Sequence, residues 1–436
     1  MMPEETTKRA AAEKEKSYRE TLTYLFQLHR VGIKLGLDNI RALLDFVGNP
    51  QAHFPAIHIA GTNGKGSTAA IIESILLCAG YKTALYTSPH LVDFRERIRV
   101  NRQMISVTEV VEFTRRVRPL VERIQPSFFE VTTAMAFAHF ARRKVDIAVI
   151  ETGMGGRLDS TNVVHPLSTL ITPIDFDHQH YLGGSLREIA FEKAGIIKPG
   201  VPCLTNNRTP EVLVVLREQC KAKKSPFIDV AQESTYRLQQ LELDGSRFIY
   251  RNARWEFDDL YLNLAGEYQL ENARLALSAL AHLSAPLPVD APAVREGLAA
   301  VEWRGRLHRV STDPAIFVDV SHNPGGVVRT LAFLHRFYSP EQINVITFLQ
   351  EDKDYREIAR LLGDGCGQCW VVDLPLGKPL PGKVYADALR QHGAPSAILK
   401  SFDEAEQLMH QSGHKGTVWL IIGSHYLAGE FYKRKM

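Results

Sequence analysis

Residues 58–70 read HIAGTNGKGSTAA. A short apolar run ends in Gly61, Gly64 and Gly66, with Lys65 between the last two and Ser67 and Thr68 behind them. A loop that closes on phosphate oxygens is built from these parts. Glycines let backbone N–H groups approach and take up positive φ. A following helix offers its N-terminal N–H groups and the positive end of its dipole. A lysine adds a mobile charge, and a hydroxyl can ligate Mg2+. The spacing departs from the usual Walker loop, because the loop is shortened and Gly66 separates Lys65 from Ser67. The competing reading is a glycine turn carrying a surface lysine. The full set of parts, after a buried strand and before a helix, favours a phosphate loop made by Gly64, Lys65, Gly66 and Ser67.

Working outward, apolar patterning predicts strands over 56–60, 82–86, 145–150 and 167–174, and a helix over 68–79. Residues 5–47 read as helical, broken by the turn 32–38. Buried strands alternating with helices imply a parallel sheet covered on both faces. Beyond Pro199 the pattern changes. Short alternating runs over 225–264 suggest antiparallel hairpins, and an Ala- and Leu-rich helix is expected over 269–283. A Pro-rich stretch over 284–293 punctuates the chain, and a second strand–helix alternation starts at Ile316. The boundary is placed near Glu302, giving regions 1–301 and 302–436.

The chain has 436 residues, enough for two or three domains. A net charge of +3 gives no case for a nucleic-acid surface, while a local basic pocket for a small anion remains open. The N-terminus has no apolar signal core, and nowhere do about 18 apolar residues run together, so neither export nor a membrane span is expected. Five sparse cysteines argue for reduced thiols and a cytoplasmic setting. Cys366 and Cys369 form a lone C-x-x-C, read as two free thiols because a zinc site wants a second pair or nearby histidines.

Two further strings sit at expected strand ends. In 150-IETGMGGRLDSTN-162, Glu151 lies just past a buried strand, where open α/β sheets bind ligands. A carboxylate there can hold a metal or simply cap a loop. In 170-LITPIDFDHQH-180, His178 lies among Asp175, Asp177 and His180. One H-x-H without cysteines is weak for zinc. No Asn-Lys-x-Asp box of a guanine-specific switch is present.

Six strings occur in order: GTNGKGS, TSPHL followed by E-R-I, ETGMGGRLDSTN, D-H followed by LG and EKAGI, W-x-G-R, and D-x-x-HNP. In this the chain resembles folylpolyglutamate synthase and dihydrofolate synthase, members of the Mur ligase superfamily, from about Leu35 to the end. The resemblance implies an N-terminal P-loop ATPase-type parallel-sheet domain, like the central domain of Mur ligases and carrying a folate loop. It also implies a smaller, Rossmann-like C-terminal α/β domain that closes over ATP. The implied reaction is ATP-dependent amide ligation. A carboxylate attacks the γ-phosphate to give an acyl phosphate, and the amine of L-glutamate then displaces phosphate. The acid is dihydropteroate or a folate, and a cytoplasmic monomer is expected.

By the same resemblance Ser67, Ser88, Glu151 and His178 ligate Mg2+, two ions being implied. Lys65 serves the phosphates, and Lys193, in 192-EKAGIIKPG-200, is carbamylated by CO2. Read alone, Lys193 is a lysine favoured near a helix end. Asn272 lies near the adenine, Arg306 reaches the phosphates, Asp319 holds the ribose and His322 lies beside the phosphates. Gly36, Leu37 and Asp38, then Ser127 to Phe129, then Leu158, Asp159 and Ser160 match the folate side. Arg95, Arg97 and Arg99 alternate, so a strand would present all three on one face, either to an anionic glutamate tail or to solvent. Four departures stand out: Arg95 where the family often has Asn, Tyr268 for a common His, Arg304 for a common Pro, and Ser321 for a small apolar residue.

Two other functions compete with this reading. A peptidoglycan-type Mur ligase for another acid would carry G-T-N-G-K-[ST] without Gly66. A nucleotide switch with no ligation would not need the paired metal strings or an ATP-closing domain. Nothing in the sequence assigns the general base for the glutamate amine, or chooses between dihydropteroate, folate, or both.

Overall fold

The computed structural model describes residues 2–28, 36–283, 285, 287–411 and 416–435. The first part of the chain runs through α1 (Met2–Gln27), α2 (Asp38–Phe46), β1 (Ala56–Ala60), α3 (Lys65–Cys78), β2 (Thr83–Tyr86), β3 (Ile98–Val100), β4 (Gln103–Met104), α4 (Val107–Ile124) and α5 (Phe128–Arg143). It continues with β5 (Ile147–Glu151), β6 (Ser168–Ile171), α6 (Gln179–Leu182), α7 (Leu186–Ala194), β7 (Cys203–Thr205), α8 (Pro210–Lys223), β8 (Phe227–Asp229) and α9 (Val230–Glu233).

These strands form one sheet in the order β4-β3-β2-β5-β1-β6-β7-β8. From β2 to β8 every neighbouring pair is parallel, and β3 and β4 add an antiparallel edge. β1 and β5 are buried along their whole length, as runs covered on both faces must be. α3 is likewise buried from Gly66 to Leu76. Ser106 with Glu109 and Ser127 with Glu130 form capping boxes that start α4 and α5. β8 pairs with β7, so residues 227–229 belong to this parallel sheet and not to the expected hairpins.

The rest of the chain runs through β9 (Ser234–Leu241), β10 (Ser246–Asn252), β11 (Glu256–Leu262), α10 (Tyr268–His282), α11 (Ala291–Ala299), β12 (His308–Thr312), β13 (Ala315–Asp319), α12 (Pro324–Leu334) and β14 (Ile343–Thr347). Then follow α13 (Tyr355–Gly365), β15 (Gln368–Val372), α14 (Gly382–Gln391), β16 (Ser396–Leu399), α15 (Phe402–Gln411), β17 (Val418–Ile422) and α16 (His425–Lys433). β9 to β11 make a small sheet, with β10 and β11 antiparallel. The second large sheet has the order β12-β13-β17-β14-β15-β16, parallel from β13 to β16 with β12 an antiparallel edge. This is the Rossmann-like arrangement expected of the C-terminal region.

Packing divides the chain into two compact units. One holds the residues up to Ser234 together with Leu275–Gly297, and the other holds Thr235–Arg274 with the residues from Leu298 onward. A single cut at 301/302 does not describe this. The excursion over β9 to β11 packs with the C-terminal core, where Ala265 is buried and Leu241, Leu243 and Tyr268 lie against it. No described helix is long and apolar enough to cross a membrane.

Candidate active site

In the first unit the C-terminal ends of β2, β5, β1 and β6 lie side by side. Gly61 and Gly64 turn the chain from β1 into α3 with φ of +149° and +91°, values that favour glycine. A Cβ on Gly61 would stand 1.8 Å from Thr172 Oγ1, so the loop is pressed against the strand-end segment after β6. The Thr62 and Asn63 N–H groups both donate to Pro173 O, at 3.0 and 3.1 Å. Thr62 Oγ1 donates to Asp175 O at 3.0 Å and stands 3.1 Å from the Asp175 N–H. The glycine loop between β1 and α3 and the segment leading to His178 are therefore one rigid piece.

Lys65 Nζ donates to the carbonyls of Gly61 and Thr62, both at 3.1 Å. Lys193, on the last turn of α7, is buried and donates from Nζ to the same Gly61 oxygen at 2.7 Å. Burial, and then the charge of Lys65, pull the Lys193 pKa down to about 7, against the opposing pull of Asp177 and Asp159. Lys193 can thus be a neutral amine near physiological pH. A lysine at an exposed helix end would not be.

Ser67 is buried on the first turn of α3. Glu151 closes β5, is 5% exposed, and accepts the Ser88 N–H at 3.1 Å, which ties the ends of β2 and β5 together. His178 sits in a left-handed turn with φ of +50°, its Nε2 3.7 Å from Asp177 Oδ2. No three His, Cys, Asp or Glu among the described residues are grouped to hold an ion by themselves. A structural zinc does not fit that donor set. Mg2+ does, since it takes most of its ligands from phosphates and water and needs only one or two carboxylates.

In the second unit Asp319 ends β13 and is 1% exposed. Its Oδ2 accepts the Leu307 N–H at 2.8 Å and its Oδ1 the Ser321 N–H at 2.7 Å. His322 Nδ1 lies 2.9 Å from Val320 O; as donor there, it leaves Nε2 as the acceptor side. Arg306 donates to Gly305 O at 3.0 Å. Asn272 is buried and donates to Gln269 Oε1 at 2.8 Å. Tyr268, the departure from His, is half-buried near Asp319, Arg306 and Arg329, and its hydroxyl pKa is raised, chiefly by desolvation. Arg304, the departure from Pro, lies over the Tyr432 ring at 5.8 Å.

The folate-side strings are partly brought together. The Phe129 ring packs on Tyr86 at 6.0 Å, and a Cβ on Gly153 would stand 2.5 Å from Phe129 Cζ. Ser127 is not in an ordinary turn, for it caps α5. Asp159 is buried, with Oδ1 accepting the Thr161 N–H at 3.0 Å and Oδ2 the Met154 N–H at 2.9 Å, so its carboxylate organises its own loop. Ser160 is buried beside it and Leu158 is half-buried. Gly36 has φ of +142°, Leu37 precedes α2 without a side-chain cap, and Asp38 is exposed, 4.0 Å from Arg41. Leu35 of that turn lies outside the described residues.

The three alternating arginines do not share a strand face. Asp93 and Glu96 form a capping box that winds residues 94–97 into a 3-10 turn, so Arg95 and Arg97 precede the strand that holds Arg99. Arg95 forks onto Asp93 and covers Tyr18. Arg97 is buried, donates to His90 Nδ1 at 2.8 Å and lies over Phe128. Sequence reading gave no role to Tyr86, to Asn162 or to Lys198, all of which shape this end of the sheet.

Residues 59–280 match the Mur ligase middle domain. The dihydrofolate synthase/folylpolyglutamate synthase of Bacillus subtilis is 36% identical over 355 residues, 79% of this chain and 83% of that protein. The crystal structure of Mycobacterium tuberculosis folylpolyglutamate synthase complexed with ADP and AMPPCP superposes with a TM-score of 0.89 at 32% identity, covering 97% of this chain and 98% of that one. The structure of E. coli FolC in complex with DHPP and ADP gives a TM-score of 0.87 at 25% identity, covering 95% and 97%.

Proposed function

The chain belongs to the dihydrofolate synthase/folylpolyglutamate synthase family of Mur-type ligases, and from that premise we propose how its residues divide the work. It is an ATP-dependent ligase that joins L-glutamate to a folate-type acid, releasing ADP and phosphate. The observation that carries the reading is the loop Gly61–Ser67, held rigidly against the β6 strand end, with two lysines converging on the Gly61 carbonyl.

The N-terminal N–H groups of α3, in Lys65, Gly66 and Ser67, cradle the phosphates, and the Lys65 ammonium swings from the loop carbonyls onto the γ-phosphate. The acid carboxylate attacks that phosphorus, forming a C–O–P bond as the bond to the β-phosphate oxygen breaks and ADP leaves. The glutamate amine then attacks the acyl carbon. A tetrahedral adduct collapses, phosphate departs and one proton is lost from nitrogen. Positioning and charge neutralisation are what this chemistry asks of the protein.

Mg2+, held by Ser67, Ser88, Glu151 and His178, would neutralise phosphate charge and orient the attacking carboxylate. The Lys193 amine, neutral near physiological pH, suits carbamylation: its nitrogen bonds to the carbon of CO2, one proton leaves to solvent, and a neutral side chain becomes an anion. In the C-terminal domain we assign Asn272 to the adenine, Asp319 to the ribose, and Arg306 and His322 to the phosphates. Gly36–Asp38, Ser127 and Leu158–Ser160 form the folate side. There the part of Asp159 is indirect, through the loop its carboxylate holds. Five free thiols support a reducing, cytoplasmic setting, and we propose a monomer acting on small molecules only.

Lys65→Ala tests the loop. Phosphate release in the presence of ATP, acid and glutamate should fall by about a thousandfold or more, with far-UV circular dichroism and Tm unchanged. Normal turnover in that variant would sink the assignment.

A further inference from the structure

The last turn of α7 and the loop after β5 touch backbone to backbone. A Cβ on Gly195 would stand 2.3 Å from Arg157 Cα, and one on Gly156 would stand 2.7 Å from Lys193 O. The Arg157 N–H donates to Glu192 O at 2.7 Å, and the Arg157 guanidinium pairs with the Glu192 carboxylate at 2.8 Å. Into this seam Asn162 inserts a side chain that is 7% exposed. Its Nδ2 donates to Arg157 O at 2.9 Å and to Gly195 O at 3.1 Å, one carbonyl from each side.

Lys198 decides which way that amide points. Its Nζ donates to Asn162 Oδ1 at 2.7 Å and to Asn162 O at 2.8 Å. An ammonium has donors only, so it takes the amide oxygen and leaves the NH2 facing the two carbonyls. The seam joins the helix that carries Lys193 to the loop that leaves Glu151.

We propose that Asn162, oriented by Lys198, is a positioning residue that fixes the helix end bearing Lys193 against the loop that follows Glu151. The inference rests on the reading that Lys193 and Glu151 face the bound nucleotide. Neither Asn162 nor Lys198 touches substrate in this account. Displacing a reacting group by about 1 Å is enough to cost two orders of magnitude in rate. The nucleotide loop leads into α3 and keeps its own hydrogen bonds to the segment after β6, through Thr62 and Asn63, when the seam is altered.

The test compares Asn162→Asp, Lys198→Met and Lys198→Arg in the full chain, with kcat and KM for ATP, acid and glutamate, alongside Tm. Asn162→Asp keeps the shape but sets an oxygen against a carbonyl; Lys198→Met keeps the stem and removes the donors. Both should lower kcat about tenfold or more, while KM for ATP stays within about twofold. Lys198→Arg, which can still donate to both oxygens, should recover most of kcat. Wild-type kcat in Lys198→Met overturns the inference, and this variant decides the matter if Asn162→Asp does not fold. So does a loss of rate that merely tracks the folded fraction. A parallel Lys193→Gln variant separates the two levels. If it turns over normally, the reading of Lys193 fails; if it is inactive while both seam variants stay fast, only the positioning claim fails.

Discussion

Lys65 and Lys193, 128 positions apart in the chain, donate to one and the same carbonyl oxygen, that of Gly61, at 3.1 and 2.7 Å. Two ammonium groups sharing one acceptor repel each other, and the more deeply buried one gives up its proton more readily. Lys193 is that residue, with its pKa drawn down to about 7.

Stability of the nucleotide-free protein should therefore rise with pH. The folded pKa of Lys193 is about 7 against an ordinary 10.5. Between those values the unfolded chain binds the extra proton, so unfolding becomes less favourable as pH climbs. The contribution is complete above the ordinary value and is lost as pH falls through about 7. Lys198, drawn down to about 8 chiefly by burial, acts in the same direction. Urea unfolding at a series of pH values from neutral upward should show a positive slope that Lys193→Met reduces. Parallel curves for the two proteins would mean that Lys193 stays charged.

Glu109 should matter at the acid end. It is 8% exposed, caps α4 with Ser106, and meets His139 at 3.1 Å and the Arg142 guanidinium. Burial opposes its charge, but the Ser106 hydrogen bonds and the neighbouring His139 and Arg142 outweigh it and hold the pKa at about 2. Its stabilising part is present above the ordinary carboxylate value and is lost as pH falls through about 2. Glu109→Gln should cost about 2 kcal/mol at neutral pH, a gap that closes as the solution is acidified. An unchanged gap down to the lowest accessible pH would contradict this.

Arg102 occupies a turn that glycine would fill with less strain. Asn101 and Arg102 have φ of +50° and +62° at the tip of the β3–β4 hairpin. The Arg102 guanidinium donates to Ser74 Oγ at 2.8 Å and lies 3.9 Å from the carboxylate of buried Glu73, both residues on α3. Arg102→Gly should relieve about 1 kcal/mol of turn strain, yet destabilise overall by about 1–2 kcal/mol through the weakened support of a buried carboxylate. Adding Glu73→Gln should restore the loss. A more stable Arg102→Gly single variant would show that the turn, and not the ion pair, governs this corner.

Much of the architecture could be read from local signals. The glycine turn between β1 and α3, the central strands and the helix after them follow from glycine placement and apolar runs, which act over a few residues. The arginines at 95, 97 and 99 were misplaced because their alternation looks like a strand. The signal against it was present in Asp93 and Glu96, a capping pair three residues apart that winds the chain before the strand begins. The division between units was not legible at all, since it depends on which core β9 to β11 pack against. Nor was the burial of Lys193, or the Asn162–Lys198 seam, whose partners lie 36 positions apart and obey no local periodicity.

The most direct measurement is the mass of the product formed from ATP-Mg2+ and L-glutamate with dihydropteroate in one reaction and tetrahydrofolate in another. Each turnover should release one phosphate and add one glutamyl residue to the acid, in at least one of the two reactions, and only when all three substrates are present. Both reactions giving product would mean one enzyme for both steps. Folded protein that binds ATP but yields no glutamylated product from either acid would contradict the account, leaving the phosphate loop to serve a different substrate.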